Sequence, residues 1–117
     1  MPIINHMVDY KSATDAVFKA LSDPTRRAML VELKAGPRTV SALAEPHSMS
    51  LAAASKHVAV LERAGLAHRR KEGRTHHITL APQGLKVAAD WLAAYSTFWS
   101  GRLDALEAAL SEEGDET

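Results

Sequence analysis

A mainly α protein with one small β-hairpin, in the order α-α-α-α-β-β-α, is predicted by three observations. Apolar residues recur at three- and four-residue steps over most of the chain. Helix start and stop signals punctuate that pattern at Asp23-Pro24, Thr39, Ser50 and Gly65. After Gly65 the period becomes extended, with two short runs on either side of Glu72-Gly73-Arg74. A length of 117 residues suits one domain, so 1–117 is read as a single unit with a core over about 23–80 and a last helix over about 82–112.

Each element has a local cause. Tyr10, Ala13, Val17, Ala20 and Leu21 place the first helix. Asp23 is a capping acid before a proline at the first helical position, where a missing N–H costs nothing; Met29, Leu30 and Leu33 give the second helix its apolar side, and Gly36-Pro37 stops it. Thr39 caps a short third helix, Val40 to Glu45, which turns Leu43 and Ala44 inward and ends at Pro46. Ser50 caps the fourth helix and Gly65 closes it. Leu66 to Lys71 and Thr75 to Leu80 form the hairpin, a finger flanked by Arg69, Arg70, Lys71 and Arg74.

From Pro82 to about Leu110 one long helix carries Leu85, Ala88, Leu92, Tyr95, Trp99, Leu103, Leu106 and Leu110. It would be roughly 40 Å long, more than so small a domain covers alone. The surplus stripe calls for a partner, most simply a second copy of the chain. The aromatic group Trp91, Tyr95, Phe98 and Trp99 fits packing across such a dimer or, alternatively, a pocket for an apolar ligand.

Composition narrows the function. Hydrophobic residues at 46% and charged ones at 24% are those of a globular protein, not of a disordered or membrane-spanning one. The absence of cysteine removes disulfides, thiolate metal sites and cysteine nucleophiles. No signal-peptide pattern or spanning segment occurs, so the expected location is the cytoplasm. Without a glycine-rich phosphate loop, a nucleophile elbow or an HExxH motif, no enzymatic activity and no cofactor are expected. The six histidines show no ligand spacing, and His76 and His77 point to opposite sides of a strand, so no metal site is assigned.

Net charge is zero, but it is unevenly spread. Ser50 to Leu80 holds six Lys/Arg against two acids, whereas Arg102 to Thr117 holds one Arg against six acids. The basic part is where a phosphate backbone would be attracted. Within "SLAAASKHVAVLERAGL", Leu51, Ala54, Val58 and Leu61 step by three, four and three and are expected to form a buried stripe. The other face carries Ala52, Ala53, Ser55, Lys56 and, at its margin, His57. Small side chains allow close approach, Ser and His can hydrogen-bond, Lys neutralises a phosphate, and the helix N-terminus adds attraction. A short helix, a turn, this helix and a basic hairpin follow the order of a winged helix-turn-helix, whose second helix enters the major groove. Winged helices also serve as protein-binding modules, the alternative reading.

"DPTRRAMLVEL", "SLAAASKHVAVLERAGL" and "RRKEGRTHHITL" together resemble the ArsR/SmtB family of bacterial winged-helix repressors, over about residues 10 to 112. The resemblance implies a homodimer that binds a double-stranded operator and leaves it when an inducer arrives. It implies DNA contacts from Ser50, Ala52, Ala53, Ser55, Lys56 and His57, and from the wing at Arg74 and its neighbours Arg69, Arg70 and Lys71; Thr39, at the head of the third helix, is grouped with them. It also implies dimerisation through the first and last helices, hence Tyr10, Val17, Leu85, Leu92, Tyr95, Phe98, Trp99, Leu103 and Leu106 at the interface. Two departures bear on the inducer: the segment "VSALAEPHS" has no thiol, and the last helix offers Asp90 and Glu107 without a histidine. The chain therefore looks similar to the metal-independent branch, with a metal sensor using a non-standard His/carboxylate site as the alternative.

Overall fold

The structure, a computed structural model, describes the backbone of residues 2–115 and the side chains of 12–112. Its order is α1 (Pro2–Leu21), α2 (Pro24–Leu33), β1 (Arg38–Thr39), α3 (Val40–Ala44), a 3-10 turn (Glu45–His47), α4 (Leu51–Arg63), β2 (Ala67–Glu72), β3 (Thr75–Leu80) and α5 (Pro82–Asp115). All five helices and the hairpin lie where the sequence places them. The additional strand, β1, is two residues long, too short for an alternating pattern to register. It pairs antiparallel with β3, Arg38 opposite Ile78 and Thr39 opposite His77, giving the sheet order β1-β3-β2.

The punctuation acts as expected. Asp23 Oδ2 accepts from the Arg26 N–H at 2.9 Å, Thr39 Oγ1 from the Ala42 N–H at 3.1 Å, and Ser50 Oγ from the Ala53 N–H at 3.1 Å. Each satisfies a donor that the first helical turn leaves without a partner. At the end of α4, Gly65 takes φ +72°, its N–H reaches the Glu62 carbonyl, and the Leu66 N–H reaches the Leu61 carbonyl at 2.9 Å. This paired closure is the Schellman arrangement.

One core unites the units. Met29, Leu43, Leu61, Leu66, Ile78, Val17 and Val58 are fully buried where α1 to α4 meet β3. Two arginines of "DPTRR" join α1 to α2: Arg26 donates through Nε to the Ala20 carbonyl at 2.8 Å and through Nη2 to that of Lys19 at 3.0 Å, and Arg27 donates to that of Leu21 at 2.7 Å. The last carbonyls of α1 thus find partners across the corner.

Two expectations are corrected. Val17, assigned to a dimer interface, is 1% exposed and sits in the protomer's own core, because α1 turns that side toward α2 and α4. Leu51, assigned to the buried stripe of α4, is 57% exposed. Ala54, Val58 and Leu61 are buried as expected, but Leu51, the first residue of α4, projects past the edge of the core. The side chain of Tyr10 lies outside the described residues.

The last helix runs to Asp115, past the expected end near 112, and its 34 residues correspond to about 51 Å. Its start is pinned where the Gly84 N–H donates to the Gly65 carbonyl at 2.7 Å. A Cβ on Gly84 would overlap the Ala64 carbonyl oxygen, so only glycine permits this approach. Further along, Phe18 of α1 meets Trp91 edge-on at 5.3 Å and Trp91 stacks on Tyr95 at 4.3 Å. Beyond that contact α5 leaves its own protomer, and every residue from 91 to 112 is exposed. Among the described residues no helix is long and apolar enough to cross a membrane.

Candidate nucleic-acid interface

The helix α4 is held by its buried stripe with its opposite side free. Ala52, Lys56 and Arg63, spaced four and seven residues apart, are exposed along that side, and Ala53 and Ser55 flank it half-buried. Ser50 is exposed at the helix entrance while capping it, so its hydroxyl serves the backbone first. Lys56 and Arg63 therefore form a cationic line two turns long beside small side chains. Arg63 did not enter the predicted set, although its position seven residues after Lys56 places it on the same face.

Between α4, the head of α3 and the hairpin lies a cleft of about 420 Å³, bordered by Thr39, Ser41, Leu51, Ser55, Arg74 and His76, among others. Its polar lining consists of hydroxyls, the guanidinium groups of Arg69 and Arg74, and the His76 imidazole. Thr39 lines the cleft, half-buried, with its Oγ1 engaged in capping α3. Ser41 joins the set through the turn geometry of α3, which sequence spacing does not reveal.

The wing cations divide into two kinds. Arg70, Lys71 and Arg74 are exposed, Arg70 with a solvent-facing contact to Glu72 at 3.5 Å, and Gly73 turns the tip at φ +60°. Arg69 is half-buried and committed within the protomer. Its Nε and Nη2 both donate to Glu62 Oε1, at 3.0 and 2.8 Å, and its Nη1 donates to His76 Nδ1 at 2.6 Å. Arg69 therefore ties the wing to the end of α4, and its charge is largely balanced by Glu62.

His57 also faces inward. Its Nδ1 lies 3.3 Å from Arg26 Nη1 and 3.9 Å from Asp23 Oδ2, on the flank of α4 that meets the start of α2. The Arg26 N–H donated to its carboxylate, and after it the charges of Arg26 and His57, hold the Asp23 carboxyl below its ordinary range against an opposing contribution from burial. Across the sheet His76 meets Arg69 whereas His77 Nε2 lies 3.6 Å from Glu72 Oε2, as opposite faces of one strand require. Among the described residues no three His, Asp or Glu side chains gather as a metal site would need.

Comparison with known proteins agrees with this geometry. A family model described as a helix-turn-helix domain matches residues 21–70. The HTH-type transcriptional regulator Rv2034 of Mycobacterium tuberculosis is 35% identical over 111 residues, covering 95% of this chain and all of its own length. The transcriptional repressor SdpR of Bacillus subtilis is 34% identical over 76 residues, 65% of this chain and 84% of its own. Among solved structures, the ArsR family transcriptional regulator RHA00566 is 37% identical with a TM-score of 0.72, covering 77% of this chain and 93% of that one. A homodimeric winged helix-turn-helix DNA-binding domain from Mycobacterium bovis is 26% identical with a TM-score of 0.58, covering 82% and 88%. With a helix-turn-helix whose second helix, α4, presents an exposed cationic face, a basic wing behind it and relatives of matching length, the chain belongs to the ArsR family of winged helix-turn-helix transcriptional regulators and is a DNA-binding regulator of transcription.

Proposed function

We propose that this regulator is a homodimeric repressor whose two copies each insert α4 into one major groove, with half-sites about 34 Å apart on one face of the operator. The observation that carries this reading is the free face of α4, with Lys56 and Arg63 aligned and Arg70, Lys71 and Arg74 exposed on the wing beside it. In it Ser55 and Lys56 meet base edges or phosphates, the wing cations meet the backbone, and Ser50, Thr39, Arg69 and His57 act chiefly by holding the elements that present them. Ala53 offers close approach. Repression is supported by the name of the SdpR relative, and dimerisation by the homodimeric neighbour and by the uncovered apolar face of α5. Leu85, Leu92, Tyr95, Phe98, Trp99, Leu103 and Leu106 are all exposed on α5 and supply the contact.

The release signal is not a metal ion in this reading. The chain has no cysteine, and the only acids between Leu85 and Leu110 are Asp90, Asp104 and Glu107, with no histidine on α5 to share an ion. A cytoplasmic site of action follows from binding chromosomal DNA. Fluorescence anisotropy with a duplex selected from a random library, against a scrambled duplex across a salt series and without added metal, tests the proposal. Tight, sequence-selective and salt-sensitive binding is expected. Equal weak binding to both duplexes would instead favour a metal- or ligand-dependent regulator.

A further inference from the structure

Leu51 is out of place by ordinary folding logic. It is the first residue of α4, more than half exposed, and contributes nothing to the cap, which Ser50 provides, or to the core, which Ala54, Val58 and Leu61 fill without it. It does not belong to the apolar face of α5 either, since its surroundings are Ser55, Ser41, Arg74 and the other walls of the cleft beside the wing. Val31 is equally bare, but a single apolar side chain on an ordinary surface carries no meaning. Leu51 differs because it stands at the entrance of the helix that faces DNA, followed by exposed Ala52.

The first residues of a recognition helix are those that reach base edges. Here they bring methyl and methylene groups and no hydrogen-bonding side chain until Ser55. In the major groove the one apolar group presented by any base pair is the 5-methyl of thymine. We propose that Leu51, with Ala52 beside it, reads thymine methyl groups, so that the operator half-site carries thymine opposite the first turn of α4. This rests on the assignment of α4 as the DNA-reading helix. Lys56 and the wing set attraction and register around it, whereas Leu51 makes the site demand a methyl.

The test uses the full chain and the duplex it enriches from a random library. That duplex is remade with deoxyuridine replacing thymine one position at a time, a change that removes only the methyl group. At one or two positions per half-site the native chain should bind the thymine duplex about fourfold more tightly per methyl than the uridine duplex. Leu51→Ala, an exposed change that favours helix, should weaken thymine binding and bring the ratio at those positions toward one, with the salt dependence unchanged. Lys56→Ala should weaken both duplexes alike and flatten the salt dependence. A native chain indifferent to uridine, or a ratio that persists in Leu51→Ala, overturns the proposal while leaving DNA binding intact. Failure to enrich any duplex overturns the DNA-reading assignment along with it.

Discussion

Asp23 shows how a single side chain couples folding to pH. Its carboxylate accepts from the first turn of α2 and lies near Arg26 and His57, and its proton affinity is lowered by that N–H and those charges. The folded state therefore binds the proton less tightly than the unfolded chain, and protonation favours unfolding. The stability contributed is complete above the ordinary aspartate range and is lost as the pH falls through it toward the lower folded value. Urea denaturation followed by circular dichroism should show the native chain losing stability between about pH 5 and 3 more steeply than Asp23→Asn, which keeps a capping oxygen but no charge. Equal slopes would show that Asp23 acts only as a neutral cap.

At the scale of elements, wing and recognition helix are joined by one fork, Arg69 to Glu62 and His76. Arg69→Ala should weaken DNA binding while leaving its salt slope nearly unchanged, because the charge removed was already balanced. Arg74→Ala should reduce the slope by about one unit. Anisotropy over a salt series separates the two. The junction of α4 with α5 admits a sharper test, since a Cβ on Gly84 would strike backbone that has no rotamer to yield. Gly84→Ala should cost about 1–3 kcal/mol in thermal or chemical unfolding, although alanine is the better helix former.

The whole molecule is unusually extended for its length. Its radius of gyration is 19.4 Å, against about 13 Å for a compact chain of this size, and the difference comes from α5 reaching beyond its own domain. Phe98 and Trp99 meet edge-on at 5.3 Å and Arg102 lies 4.4 Å over the Phe98 ring, but Leu103, Leu106 and Leu110 have open surroundings. Replacing Leu103 and Leu106 together with Glu should leave the monomer folded, because neither touches its core. Sedimentation should then report a monomer, and affinity for a two-half-site duplex should fall about 100-fold or more as the second contact ceases to be intramolecular. A dimer that survives the change would place the interface elsewhere.

Much of the architecture was legible in the chain because its signals are local. Asp23-Pro24, Thr39, Ser50 and Gly65 satisfy or terminate backbone hydrogen bonds within a few residues of themselves, so reading them needs no knowledge of what packs against them. The period change after Gly65 and the surplus stripe on the last helix are equally local, and the family followed from three contiguous segments. Tertiary structure decided what depends on where the core ends and which side chains meet across sequence. Periodicity gave Leu51 the same buried phase as Ala54, yet phase says nothing about whether a core lies beneath that turn. Val17 lies in the interior, and His57 and Arg69 meet Arg26 and Glu62 within the protomer, for one physical reason. A polar or apolar side chain satisfies itself with the nearest suitable partner in space, and 31 residues separate Arg26 from His57 along the chain.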